Sequence, residues 1–264
     1  RFKASQLGLL NQAVHMVGSL DIRRAFGHRL SHPRNSVQKL TSTENSQFQT
    51  SAILLDAAFS LATKNLVPNF HLFPANLAAR EVIGADWRVA EPPVLTENFS
   101  EVNFENGFRM GCQKGVLEIG RTFDGSEGPE LMDVARNFIE AYDDVNYRVL
   151  GAMFNMFIDE QGQDLLKSRA LGNPPWLSNF ELQNAQLRFE LSKKNYNLLI
   201  EVGKGGVTRA QNGETLMGLM IFGMASLNRE PSYERDDTIA AIKDYPNCWE
   251  IFSSATQSIF FGNE

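Results

Sequence analysis

The sequence predicts an α+β fold: a mainly antiparallel sheet with packed helices, preceded by a small N-terminal helical module. Three observations point to it. Seven of the first forty residues are Lys or Arg and only Asp21 is acidic, whereas the 264-residue chain carries 25 basic and 31 acidic residues. A cationic end is thus joined to an acidic body, which suggests two surfaces with different partners. Residues 99–123 alternate apolar and polar side chains between glycine-containing turns, as a strand meander does. Finally, the body runs strands–helix–strand and then strands–helix, which is not the strict alternation of a doubly wound sheet.

The elements follow in order. Residues 5–17 place Leu7, Leu10, Val14 and Val17 at helical spacing. Gly18-Ser19 ends that helix, and Ser19 suits the cap of the next. Residues 20–30 carry Ile22, Phe26 and Leu30 on one helical face. Pro33 fits the first turn of a third helix that runs to Leu40. The polar stretch that follows reads as a linker, so residues 1–45 form the basic module and 46–264 the acidic body. Within the body, 51–159 and 179–264 suggest two related halves, although no residue-level repeat stands out.

Residues 51–63 fit a buried helix or a strand equally well. Leu66 to Phe73 is β-leaning and broken by Pro68. Asn76 to Ile83 suits a short helix, and Pro92-Pro93 marks a bend. Asn106-Gly107 suits a type I′ hairpin turn, and Lys114-Gly115 can serve similarly. Residues 125–145 open with glycine, proline and acids. They continue as an amphipathic helix whose apolar face is Leu131, Val134, Ala135, Phe138, Ile139 and Tyr142. Tyr147 to Ile158 is apolar on both faces, as a central strand is. Residues 160–178 form a second linker. Two strands are expected over 179–203 and a third over 217–227, after Asn212-Gly213. Residues 236–254 read as helical, interrupted at Pro246.

Composition sets further bounds. A 43% hydrophobic content with 19 Phe is enough for a well-filled core. The acidic balance argues against non-specific nucleic-acid binding by the whole protein, so any such binding is local to the basic end. Cys112 and Cys248 match no metal or redox spacing and read as reduced, partly buried thiols; a single disulfide stays open. No span reaches the ~20 apolar residues of a membrane helix. The apolar stretch Thr215–Leu227 falls short, and no secretory signal is legible. The expectation is a cytoplasmic protein that does not engage membranes, although an Arg-rich, acid-poor start is also the composition of a transit peptide.

Residues 22–40, IRRAFGHRLSHPRNSVQKL, resemble the helix-turn-helix motif of DNA-binding proteins. Phe26-Gly27 supplies the apolar–small pair that lets two helices cross closely, Leu30 closes the first helix, and Val37 and Leu40 return to the core. The helix over 5–17 completes a three-helix unit. The sequence departs from the family at the turn, where Ser31 replaces the usual Gly and His32 the usual apolar residue. The resemblance implies duplex DNA as a partner of residues 20–40, and dimers are the usual way to reach two half-sites, so a homo-oligomer is expected. Arg34, Asn35 and Gln38 lie early on the recognition helix, where Arg pairs with guanine and Asn or Gln with adenine. Arg23, Arg24, Arg29 and Lys39 are available for phosphates.

Other constellations are weaker. His28 and His32 sit four apart with Asp21 nearby, but Arg24 and Arg29 crowd them with positive charge, and no metal is expected. Gly203-Lys204-Gly205-Gly206-Val207-Thr208 lacks the Gly-Lys-Ser/Thr end of a phosphate loop and reads as a hairpin loop. Asp143-Asp144 and Asp236-Asp237 flank helix ends. His71 is the only histidine of the body and reads as structural. Met217, Met220 and Met224 with Phe222 suit core packing, a small-molecule pocket or a dimer interface. No catalytic residue and no cofactor is assigned. The leading expectation is a DNA-binding regulator whose body dimerises or senses a small-molecule ligand. The alternative is a non-enzymatic accessory or assembly protein whose basic helices dock on an acidic protein surface.

Overall fold

A strand buried on both faces must pair along both edges, and residues 52–63 do so. In the computed structural model this segment is β1 (Ala52–Thr63), held antiparallel between β5 (Val116–Thr122) and β6 (Tyr147–Ile158). The structure describes residues 52–64, 69–96, 99–113, 115–123, 131–158, 171, 186–193, 195–208, 215–227 and 232–262. The N-terminal helices, the first linker, the second linker apart from Leu171, and the Asn212-Gly213 turn expected from the sequence lie outside them. The remaining strands are β2 (Val94–Leu95), β3 (Phe99–Asn103), β4 (Phe108–Gln113), β7 (Gln186–Lys193), β8 (Tyr196–Thr208) and β9 (Thr215–Leu227). All nine form one sheet in the order β2-β3-β4-β5-β1-β6-β9-β8-β7, with every neighbouring pair antiparallel. Helices α1 (Pro74–Ala79), α2 (Leu131–Ala141), α3 (Arg235–Lys243) and α4 (Tyr245–Phe260) complete the α+β body.

Several local expectations change. Residues 69–72 form a 3-10 turn rather than a strand, because Pro68 removes a ladder donor just ahead of them. The hairpin at Asn106-Gly107 is not type I′. Gly107 has a φ of 85°, but Asn106 does not adopt a positive φ. The Gly107 N–H donates to the Phe104 carbonyl, and Phe104 and Phe108 close the ladder around a three-residue loop. Such loops need glycine only at their last position. The glycine-rich segment 203–208 is no loop either. It is the second half of β8 and pairs residue by residue with β9 as far as Thr208 and Thr215. Pro246 separates α3 from α4 by opening the second helix at its first turn, where its missing N–H costs nothing.

Side chains alternate across the sheet. On one face, Ala57, Phe59 and Leu61 of β1 and Ala152, Phe154, Met156 and Ile158 of β6 join the main core. The helices cover this face. Leu131, Val134, Ala135, Phe138 and Ile139 of α2 are buried, as their spacing predicts. Phe252 of α4 stacks on Phe154 with ring centroids 5.0 Å apart. Each buried Leu or Phe contributes roughly 1.5–3 kcal/mol through lost contact with water. The Thr238 hydroxyl of α3 donates to the Tyr147 carbonyl at 2.6 Å and ties that helix to the start of β6.

The central pair is locally symmetric. Ala57↔Phe154 and Phe59↔Ala152 flank the Ala58↔Met153 pair, and each strand carries one register shift, at Leu55 on β1 and Leu150 on β6. From each strand the chain goes on to a three-strand meander whose last member pairs back: β3-β4-β5 on β1, and β7-β8-β9 on β6. The two strands share a short repeat that sequence inspection misses, Leu55-x-Ala57-x-Phe59 and Leu150-x-Ala152-x-Phe154. Its leucines mark the bulges, and its Ala and Phe positions face the core.

Candidate binding face

The second face of the sheet has a different make-up. Its central row runs Arg109, Gly120, Ala58, Met153, Met224, Leu199 and Glu190 across β4, β5, β1, β6, β9, β8 and β7. Ala58, Met153, Leu199 and Met224 form a separate apolar cluster, joined by Leu150 and Phe222, to which no described helix contributes. All four are at most 4% exposed. Leu150 reaches this cluster because it is the bulged residue of β6, and bulges re-aim side chains. The methionine stretch is therefore split. Met224 and Phe222 lie in this cluster, while Met217 alternates to the other face and is exposed.

Two ion groups flank the apolar strip, each an arginine between two acids. On one side the Arg109 guanidinium bonds Glu118 through Nε at 3.2 Å and Nη2 at 2.7 Å, and lies 3.6 Å from Asp56. Gly120 makes this possible. A Cβ there would sit 3.0 Å from Arg109 Nε and 3.1 Å from Ala58 Cβ, so a side chain at 120 would press on the arginine where it crosses β5. On the other side Arg188 pairs with Glu190 at 3.0 Å and Glu201 at 3.3 Å. Each group carries one net negative charge when ionised, and Glu101, which acts on Arg109, adds another.

Asp56 is the most buried of these carboxylates, and the Asn155 amide donates to it at 2.7 Å. Burial pushes its pKa above the ordinary carboxylate value. Arg109 and Asn155 oppose that shift, and the neighbouring Glu118 adds to it. Arg109 is held firmly in its charged form by the two acids. The two effects are consistent because the cation sits closer to Glu118 than to Asp56. Tied up in this way, Asp56 and Glu118 are poorly placed for general acid–base work.

Other buried or charged groups among the described residues make packing and helix-end contacts. His71 is 2% exposed and stacks on Tyr142 with ring centroids 4.1 Å apart. The Tyr142 hydroxyl donates to the His71 carbonyl at 2.9 Å, and Arg80 lies over the Tyr142 ring. Burial lowers the His71 pKa against the field of Asp144, which favours a neutral ring. Asp236 and Asp237 fall in the first turn of α3, where negative charge is favourable. Cys112 and Cys248 are free, buried thiols, and burial pushes the Cys248 pKa up to about 12. Among the described residues no group of His, Cys, Asp and Glu could hold a metal ion, and no helix is long and apolar enough to cross a membrane.

The residues that the sequence singles out for DNA, namely Arg23, Arg24, Arg29, Arg34, Asn35, Gln38 and Lys39, lie outside the described residues, as do Asp21, His28 and His32. The second-face constellation escapes sequence inspection, because Asp56, Arg109, Glu118 and Asn155 sit on four different strands and meet only through the register. In comparison with known proteins, the chain matches no family model, no curated protein and no solved structure.

Proposed function

We propose that the protein is a DNA-binding regulator: a basic helix-turn-helix-like module, residues 1–45, carried on an acidic α+β body that dimerises or senses a ligand. The charge split carries this reading. A cationic head on an anionic body confines attraction for phosphates to one end of the chain. Arg34, Asn35 and Gln38 read bases, while Arg23, Arg24, Arg29 and Lys39 hold the backbone. The body is a scaffold of two similar halves, and we place the start of the second at β6, where the Leu-x-Ala-x-Phe repeat recurs.

Duplex binding across a salt series tests this reading. Affinity should fall steeply as salt rises, and Arg34→Ala/Asn35→Ala should weaken it by about 1–3 kcal/mol per lost base contact. Binding indifferent to both salt and substitution overturns the proposal.

A second reading, an accessory or assembly protein, draws on one observation: the second face offers an apolar strip between two net-negative ion groups. Light scattering on a chain lacking residues 1–45 separates the two. Loss of oligomerisation favours assembly, whereas an intact oligomer that no longer binds DNA favours regulation.

A further inference from the structure

We propose that the body pairs with a second copy of this chain, edge to edge through β7, so that the sheet continues across a two-fold axis at Phe189. The outer N–H and C=O groups of an end strand are a template for another strand. The two ends of this sheet differ in how they meet that hazard. β2 is only Val94–Leu95, directly preceded by Pro92-Pro93, and both shortness and proline blunt an edge. β7 spans eight residues, Gln186–Lys193, and holds no proline. Its register with β8 runs unbroken from Gln186↔Gly203 to Lys193↔Tyr196, with no bulge to bend it away. Among the described residues it pairs on one side only. Leu191 on this strand is 40% exposed, an uncommon state for a large apolar side chain here.

The side chains of β7 select a second copy as the partner. Opposed residues of an antiparallel pair share a face, and a two-fold axis makes the contact reciprocal. With the axis at Phe189, Arg188 faces the partner's Glu190, and Glu190 faces the partner's Arg188. Leu187 faces the partner's Leu191, Phe189 faces its own counterpart, and Gln186 faces the partner's Ser192. Each of these charges meets its opposite, and each of these apolar side chains meets another. Moving the axis to Arg188 or to Glu190 sets arginine on arginine or glutamate on glutamate, and like charges directly opposed are destabilising. Offsets of odd parity set the apolar face of one copy beside the charged face of the other. Within the chain Arg188 already holds Glu190 at 3.0 Å and Glu201 of β8 at 3.3 Å, with Glu190 more than half exposed at the rim. Glu190 is therefore placed to turn to a second arginine across the axis.

This deepens the dimerising half of the proposed function and is independent of any DNA contact. Light scattering of the full chain without DNA, at about 100 μM, should give a doubled mass. Arg188→Glu alone and Glu190→Arg alone each oppose like charges twice, and each should weaken the dimer about tenfold or more. Mixing the two variants should restore it, because every opposed pair at these positions is then complementary. Two variants that combine cannot both be misfolded. A cross-link fixes the register. Opposed Cα atoms lie about 4.5–5.5 Å apart, within disulfide reach, so Phe189→Cys should join two chains on mild oxidation. Leu191→Cys should not, since the two copies of position 191 lie about 13 Å apart along the strands. A single-chain mass, reversals that fail to combine, or cross-linking at 191 rather than 189 overturns the pairing. A dimer that ignores both reversals places the dimer contact elsewhere: it overturns the β7 assignment and leaves the regulator reading standing.

Discussion

Asp56 sits at a junction of conflicting demands. Its carboxylate is largely withdrawn from water, yet its arginine partner favours Glu118. Because burial outweighs attraction, the folded state holds a proton on Asp56 at a higher pH than the unfolded chain does. The charged form is therefore a liability at neutral pH. That liability shrinks as pH falls through the raised folded pKa and is gone below the ordinary carboxylate range. Asp56→Asn keeps the shape without the charge and should raise stability by on the order of 1 kcal/mol at neutral pH, with the gain fading toward acid. Arg109→Met acts oppositely. It leaves two carboxylates facing each other without a cation, and a loss of about 3–5 kcal/mol is expected. Urea unfolding at several pH values checks both, and an Asp56→Asn variant less stable than the parent at neutral pH contradicts the balance described above.

At the scale of elements, what the sequence revealed depended on how local its causes are. The amphipathic face of α2 was legible because helical spacing is written within eleven residues, and the meander of β3, β4 and β5 because alternation and glycine turns are equally local. The centre of the sheet was not. Residues 52–63 satisfy either periodicity, and only the presence of β5 and β6 on both edges makes a strand of them. The glycines of β8 misled for the same reason: their roles are set by neighbours across the ladder. Gly205 makes room for Met220, and Gly223 of β9 makes room for Phe252, since a Cβ at 223 would lie 2.1 Å from that ring. Gly223→Ala should accordingly cost about 1–3 kcal/mol through overpacking. Adding Phe252→Leu should recover part of the loss, and a double-mutant cycle by thermal unfolding measures the coupling. Additive losses would mean that the ring does not sit where the packing places it. The candidate face lay furthest from view, since four residues on four strands share no spacing at all.

Across the whole molecule, the two meanders meet along one seam, the β1–β6 pair with its matched bulges and repeated Leu-x-Ala-x-Phe. The seam's local symmetry has a testable meaning. Residues 52–141 expressed alone keep β1 paired to β5 but leave its other edge bare, and bare apolar edges recruit strands. The fragment should dimerise through β1 against β1, imitating the Ala58↔Met153 arrangement, with a doubled mass by light scattering that an edge-blocking proline at Ala57 abolishes. A monomeric, soluble fragment would show that the seam is not self-complementary. The same geometry bears on synthesis. β1 leaves the ribosome before any strand it pairs with, and β6 is finished only at Ile158, some 5–20 s later at ordinary elongation rates. During that interval neighbouring nascent chains on one messenger each present an unclaimed border, and the pace of translation decides whether it is closed from within or by a stranger.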